Sequence, residues 1–153
     1  MTIKFNRNDG GREKAGYKGK AGDCVTRAVA IASGKPYKEV YDAMANGNAT
    51  QRKTKHYRQS TGKRTARDGI NTTRKWFKDY MKSIGFEWTP TMFIGSGCKV
   101  HLRSDELPSG KLVVNVSKHL VSVIDGVIND NYDCSRDGTR CVYGYWKLSE
   151  QPK

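Results

Sequence analysis

Apolar residues in the first half of the chain recur with the spacing of α-helices. In "DCVTRAVAIA" they fall on one face of a helix, and Asp23 before Cys24 is a favourable N-cap. The spacing recurs in "YKEVYDAMA", which stops at "NGN", and in "NTTRKWFKDYMKSIG", which ends at a glycine. The pattern predicts three amphipathic helices, with ordered structure beginning at Asp23.

The apolar pattern becomes an alternating one in the second half of the chain. "KLVVNVS", "HLVSVID", "VINDNYD" and "RCVYGYWKL" are short runs rich in β-branched or aromatic residues. Asp125 followed by Gly126 is a strong hairpin signal between the second run and the third. This order predicts an α+β domain in which N-terminal helices pack on a C-terminal antiparallel β-sheet.

Length and composition indicate a single domain. The 153 residues carry enough apolar side chains for one core and leave little room for a second. Residues 1–22 are rich in Gly, Asn and Lys and have few apolar anchors, so we predict an extended lead-in there. The domain is expected to span residues 23–150, with a basic excursion at about 46–68.

The charge of the chain indicates an acidic partner. Lys and Arg number 28 against 15 Asp and Glu, which gives a formal net charge of +13. The excursion has no acidic residue and has the composition of a phosphate-contacting segment. Its basic residues are Arg52, Lys53, Lys55, Arg58, Lys63, Arg64 and Arg67. We expect salt-sensitive binding of nucleic acid or an acidic protein, with a solvated loop as the alternative.

Membrane and export signals are missing from the pattern. No apolar run has the form of a signal peptide or the length of a membrane span. We therefore expect a cytoplasmic protein with no membrane contact. Its four cysteines would then be mostly reduced, which favours catalytic or metal-binding roles over disulfides.

Cys24 has the position of a nucleophilic thiol. It opens the first predicted helix, where the macrodipole and unpaired backbone N–H groups lower a thiol pKa and can stabilise an oxyanion. His119 heads the strand "HLVSVID", and its imidazole can take and return the thiol proton. A hairpin about Asp125 and Gly126 brings Asp130 alongside His119, where a carboxylate would orient the imidazole.

Each of these residues also has a simpler interpretation. A cysteine in an Ala-rich helix is often just a small buried residue, and a histidine at a strand end is often satisfied by the backbone. Four neighbours compete with Asp130 for the orienting role: Asp125, Asn129, Asn131 and Asp133. Asp125 is the weakest of them because Asp is favoured in the turn itself.

The order of these residues resembles that of papain-like cysteine peptidases in the broad sense, including bacteriocin-processing and cell-wall-amidase branches. A cysteine opens a helix in "GDCVTRAVAIA", a histidine heads a strand in "SKHLVSVIDG", and an acidic residue follows in "VINDNYD". The resemblance spans residues 22–146 and implies a hydrolase or acyl-transfer enzyme without a cofactor, acting on a peptide or protein. It makes Cys24 the nucleophile, His119 the base and acid, and Asp130 the orienting residue. Small size and a basic loop resemble proteins encoded by bacteriophages or mobile elements.

The chain departs from this family at the oxyanion hole. Papain-like enzymes usually carry a Gln a few residues before the nucleophile, and this chain has Lys18 at that spacing. The candidate donors are the backbone N–H of Cys24 and the side chains of Asn6, Asn8 and Tyr17. The missing Gln favours a competing hypothesis, a non-catalytic basic protein that uses the same scaffold to bind nucleic acid or an acidic host protein.

A weaker alternative places a metal on the remaining thiols. The residues concerned are Cys98, His101, Cys134 and Cys141. Three thiolates and one imidazole are a set that tetrahedral zinc accepts, but the spacing of the last two cysteines is unconventional, so the main expectation is no metal. A cross-strand Cys134–Cys141 disulfide is a further possibility, and two separate buried thiols are the default expectation.

Overall fold

A computed structural model describes most of the chain. The described residues are 4–11, 13–14, 16, 24–50, 72, 74–92, 95, 97–116, 119–130, 133–135 and 138–149, the side chains of 48–50 excepted. Within them, the helices are α1 (Cys24–Ser33), α2 (Tyr37–Thr50) and α3 (Lys75–Ser83). The strands are β1 (Lys4–Arg7), β2 (Phe86–Pro90), β3 (Lys111–Val116), β4 (His119–Ile124), β5 (Val127–Asp130) and β6 (Val142–Leu148).

The strands of the described residues form one mixed, mostly antiparallel sheet in the order β1-β5-β4-β3-β6-β2. β1 runs parallel to β5, and every other neighbouring pair is antiparallel. α1 packs chiefly on β4, the strand that begins with His119. The predicted α+β fold class, with mostly N-terminal helices on a sheet, is confirmed.

Apolar side chains cover both faces of the sheet. β3 shows the division, because Val113 belongs to the cluster that contains the helices and Val114 belongs to a second cluster. Neighbouring side chains of a strand point to opposite faces, so the two clusters lie on opposite sides of the sheet. The second face is closed by loop residues, among them Leu102, Leu107 and Cys134. The core is therefore built from helices on one face and from loops on the other.

The four strands predicted from the second half of the chain are all present. The β4–β5 hairpin pairs Ile124 with Val127 and leaves Asp125 and Gly126 as its two-residue turn. Both turn residues have positive φ, 48° for Asp125 and 79° for Gly126, which is the conformation that Asp-Gly favours in a tight hairpin. The predicted hairpin is confirmed.

The expectation that ordered structure begins at Asp23 is wrong. Lys4–Arg7 forms an edge strand, and its register places Arg7 opposite Asp130 of β5. All of its residues are exposed, so no apolar alternation marks this strand in the sequence. β2 was not predicted for a related reason, since only Phe86 of that strand is buried. Asp23 itself lies outside the described residues.

α2 is longer than its sequence pattern predicts. The helix continues through "NGN" to Thr50, so the predicted stop there is wrong and the first residues of the basic excursion are helical. A glycine inside a helix costs only about 1 kcal/mol relative to alanine, so Gly47 does not by itself end α2. The absence of a side chain at Gly47 lets α3 pack closely, since the indole of Trp76 occupies the space that a Cβ at Gly47 would fill. Residues 51–68 of the excursion lie outside the described residues.

Gly47→Ala is expected to lower the free energy of unfolding by about 1–3 kcal/mol, because the added methyl group overlaps the ring of Trp76. Urea denaturation measures the loss. In a Trp76→Ala background the same substitution should be neutral or stabilise the helix by up to about 1 kcal/mol, because alanine is the better helix former. An equal loss in both backgrounds would contradict the contact.

Candidate active site

The β4–β5 hairpin brings His119 and Asp130 together. His119 Nε2 lies 2.6 Å from Asp130 Oδ2, and the two side chains are only 7% and 4% exposed. A contact this short between an imidazole nitrogen and a carboxylate oxygen is a charge-assisted hydrogen bond. It fixes the ring orientation and assigns Nε2 to the carboxylate.

The other residues that compete for this role are held elsewhere. Asp125 Oδ1 accepts a hydrogen bond from the backbone N–H of Gly110, and Asp133 Oδ1 accepts one from Ser135. The side chain of Asn129 donates to the carbonyl of Val127. Asn131 lies outside the described residues. Among the described candidates, Asp130 is the one in contact with His119.

Cys24 is the first residue of α1 and lies half-buried beside His119. Burial opposes ionisation of its thiol. The hydrogen bond and the charge of His119, a backbone hydrogen bond from Leu120 and the charge of Arg27 outweigh burial and hold the pKa of Cys24 below its ordinary value of 9.0. The thiolate is thus favoured at this end of the helix.

His119 is held in its protonated form. Burial of the ring lowers its pKa, but hydrogen bonds to the carboxylate of Asp130 and to two thiols, with the charge of that carboxylate, dominate. Together they raise the pKa of His119 from 6.5 to about 12. Because the Cys24 pKa is lowered and the His119 pKa is raised, the pair is poised as thiolate and imidazolium.

Arg27 is a member of the site that the sequence analysis missed. Its guanidinium Nη2 lies 3.5 Å from Asp130 Oδ1, and its side chain is only 9% exposed. The carboxylate thus faces His119 with one oxygen and Arg27 with the other. A signal was present in the sequence, since Arg27 interrupts the apolar stripe of α1 three residues after Cys24. An arginine on a buried helix face requires an acidic partner.

Cys134 also lies at this site rather than with the other two cysteines. It is buried and free, and its thiol is hydrogen-bonded to His119. Cys24 belongs to the apolar cluster on the helical face and Cys134 to the cluster on the other face. The imidazole therefore lies between two thiols at the boundary of the two clusters.

His119, Asp130 and Cys134 also form a potential metal-binding group among the described residues. One donor atom from each lies within 4.8 Å of the others. The donor types suit zinc, but Asp130 is already neutralised by the cation Arg27 and by protonated His119. Two positive partners on one carboxylate disfavour a divalent ion there, so the group fits proton transfer better than metal binding.

The weaker alternative, a zinc site on the remaining cysteines and His101, does not agree with the structure. Cys98 and Cys141 form a disulfide, with Cα atoms 5.8 Å apart, so their thiolates are not available as ligands. Cys134, which the sequence analysis grouped with them, contacts His119 instead. The disulfide also contradicts the expectation that these cysteines are reduced, and it rules out the alternative in which Cys141 pairs with Cys134. The correct partner is brought in by a β-bridge between His101 and Cys141.

The N-terminal segment runs beside the site. β1 pairs with β5, and the backbone N–H of Asn8 donates to the carbonyl of Asp130 at 2.8 Å. The Asn6 side chain is directed at Asn129, to whose Oδ1 its Nδ2 donates at 2.8 Å, and one N–H of its amide remains for another acceptor. Asn8 Oδ1 accepts from the N–H of Gly10, which ties that side chain to its own turn. Tyr17 lies outside the described residues.

Gly10 holds this turn against α1. It has a φ of +72°, and a Cβ there would lie 3.2 Å from the carbonyl oxygen of Arg27. A side chain at this position would be strained and would push the segment away from the helix. Close packing of the turn on α1 therefore depends on glycine.

Of the predicted site residues, the structure brings together Cys24, His119 and Asp130. The seven basic residues of the excursion lie outside the described residues. In the described part of the chain, no helix is both long and apolar enough to cross a membrane.

Comparison of the chain with family models, with curated proteins and with solved structures finds no match. Proposals about its activity therefore depend on the geometry and electrostatics of the site.

Proposed function

We propose that this protein is a papain-like cysteine hydrolase or acyl-transfer enzyme of the peptidase, isopeptidase or amidase type. The observation that carries the proposal is the position of His119, hydrogen-bonded to both the Cys24 thiol and the Asp130 carboxylate. A thiol nucleophile that contacts a base, which in turn contacts an orienting carboxylate, is the arrangement used for acyl transfer through a thioester.

The reaction begins with the Cys24 thiolate, which attacks the carbonyl carbon of an amide, isopeptide or ester. The tetrahedral intermediate collapses as His119 protonates the leaving amine or alcohol, and an acyl thioester remains on Cys24. In the second half, His119 removes a proton from water or from an acceptor amine that attacks the thioester. Because Nε2 holds Asp130, Nδ1 is the nitrogen that exchanges protons.

Asp130 and Arg27 support His119 electrostatically. Asp130 stabilises the imidazolium, and Arg27 fixes the second carboxylate oxygen, so the carboxylate keeps one orientation through the cycle. Arg27 also adds positive charge near Cys24 and favours the thiolate. The triad therefore requires no cofactor to ionise its nucleophile.

Stabilisation of the oxyanion is assigned to the start of α1. Cys24 begins the helix, where backbone N–H groups have no partner within the helix and carry the positive end of its dipole. The backbone N–H of Cys24 is the donor assigned to the oxyanion, and the second amide N–H of Asn6 is a further candidate. This arrangement replaces the usual Gln by backbone donors.

The test is the rate of Cys24 alkylation by iodoacetamide as a function of pH, followed residue by residue by mass spectrometry. The thiolate alone reacts, so the lowered Cys24 pKa places the midpoint of the wild-type profile below pH 9.0. His119→Gln removes the main causes of the lowered pKa but keeps the burial, which raises it. The midpoint should move above pH 9.0, and the rate at pH 7 should fall at least ~10-fold.

The matched control is His101→Gln, which replaces a histidine that does not contact Cys24 and should leave the Cys24 profile unchanged. A wild-type midpoint at or above pH 9.0, or a midpoint that His119→Gln leaves unchanged, would contradict the proposal that this protein is a cysteine enzyme. The competing hypothesis, a basic protein that binds nucleic acid or an acidic protein without chemistry, would then be favoured by the net charge of +13.

A further inference from the structure

A second thiol, imidazole and carboxylate lie together in the loop before β3. Cys98 Sγ is 3.6 Å from His101 Nε2, and His101 Nδ1 is 3.1 Å from Glu106 Oε1. Cys98 is exposed and forms a disulfide with Cys141, which is half-buried. None of these residues contributes to the mechanism proposed for Cys24.

The imidazole is held in place by more than one contact. Glu106 Oε1 also accepts a hydrogen bond from the backbone N–H of His101 at 3.1 Å, which locks the carboxylate to the ring and to its backbone. Arg103 Nε lies 3.6 Å from the other carboxylate oxygen. His101 therefore presents Nε2 to Cys98 in a fixed orientation.

The two cysteines stay close without the disulfide, because backbone hydrogen bonds join their segments. The N–H of Val142 donates to the carbonyl of Val100, and the N–H of Leu102 donates to the carbonyl of Arg140, each at 2.8 Å. Leu102 is fully buried and anchors the loop in the core. Breaking the S–S bond would thus leave both sulfurs positioned to reform it.

We propose that Cys98, His101 and Glu106 form a thiol–disulfide exchange site that reacts with low-molecular-weight thiols and disulfides. Cys98 is the exchanging sulfur because it is the exposed one, and Cys141 is the resolving sulfur. His101 exchanges the proton of Cys98 through Nε2, and Glu106 orients the ring through its contact with Nδ1.

The reduction runs in two steps. A small thiolate attacks Cys98 Sγ, the bond to Cys141 breaks, and Cys141 leaves as a thiolate that takes a proton from solvent. A second small thiolate attacks the outer sulfur of the mixed disulfide, and Cys98 leaves as a thiolate that takes its proton from His101. Two small thiols are oxidised to one disulfide while Cys98–Cys141 is reduced to two thiols, and oxidation follows the reverse path.

The experiment uses the full chain, as wild type and with Cys24→Ser, in buffers of reduced and oxidised glutathione. Thiols are quenched in acid and alkylated, and each cysteine is read by mass spectrometry. We expect Cys98 and Cys141 to be protected together under oxidising conditions. In variants that keep only one cysteine of this pair, Cys141→Ser should collect glutathione on Cys98 several-fold faster than Cys98→Ser collects it on Cys141.

His101→Gln in the Cys141→Ser background should slow glutathione addition to Cys98 at pH 7 by about 5–10-fold, because the imidazole 3.6 Å from Cys98 Sγ can no longer take the proton of the thiol. The difference should vanish near pH 10, where the thiol ionises unaided, which a merely structural role of His101 would not produce. Glu106→Gln should give a smaller slowing, and Glu87→Gln, an exposed carboxylate on β2, should give none.

Three results would overturn the exchange site: an equal rate for His101→Gln and its parent at pH 7, faster reaction at Cys141 than at Cys98, or free Cys98 and Cys141 under fully oxidising conditions. A folded far-UV circular dichroism spectrum is required of each variant, and Glu106→Gln keeps the test open if His101→Gln does not fold. The exchange rates at Cys98 can be measured in the Cys24→Ser chain. A negative result there would therefore count against the exchange site and not against the proposed activity of Cys24.

Discussion

Cys24→Ala is expected to abolish formation of an acyl-enzyme. With p-nitrophenyl acetate, an activated ester that demands no particular substrate recognition, wild-type protein should release a burst of nitrophenol equal to its active sites as the acyl group moves to Cys24. The variant has no sulfur at the start of α1 and should show no burst, with turnover lower by at least ~10³-fold, as for other nucleophiles of a triad.

The matched control is the double variant with Cys98→Ser and Cys141→Ser, which removes both sulfurs of the disulfide and leaves Cys24 in place. Because these residues do not touch Cys24 or His119, the burst should persist. Intact mass spectrometry adds a second readout, since the acetyl group should be found on Cys24. A burst that survives Cys24→Ala, or an acetyl group on another residue, would exclude the proposed nucleophile.

Asp130→Ala is expected to lower the free energy of unfolding by about 3–5 kcal/mol, because it removes the buried anion that faces the Arg27 cation and accepts the hydrogen bond of His119. Both Arg27 and His119 contact this carboxylate, and their side chains are 9% and 7% exposed. Neither can regain full hydration without opening the junction of α1 with the β4–β5 hairpin. Guanidinium denaturation, followed by tryptophan fluorescence, measures the loss.

Asp79→Ala is the matched control, because it also removes one aspartate from an ion pair. Asp79 lies 2.7 Å from Lys75 across one turn of α3, but the two side chains are 55% and 88% exposed. Water replaces the lost partner there, so the cost should stay below about 1 kcal/mol. Similar losses for the two variants would mean that Asp130 is not the buried centre of charge described above.

The local elements of this protein were largely predictable, because each leaves a short-range pattern. The β-branched runs of β3 to β6 and the Asp125-Gly126 turn depend on neighbours within a few residues. The hairpin then places Asp130 within reach of His119 by simple counting along two strands. Two members of the candidate triad were thus obtained together from one local motif.

The predictions that failed depend on contacts distant in the sequence. β1 has only exposed residues, and it is a strand because the edge of β5 offers hydrogen bonds to it. α2 passes its predicted stop, and Gly47 within it packs on Trp76 of α3. In both cases tertiary pairing outweighed a weak local signal.

Amino-acid order alone established the fold class, the hairpin and the position of Cys24 at a helix start, since these follow from periodicity and turn chemistry. Folding in three dimensions decided which charges and sulfurs meet. It formed the ion pair of Arg27 with Asp130, the hydrogen bond of Cys134 with His119, and the disulfide of Cys98 with Cys141. Composition and spacing do not encode these pairings, because each joins elements whose distance is set by packing of the whole sheet.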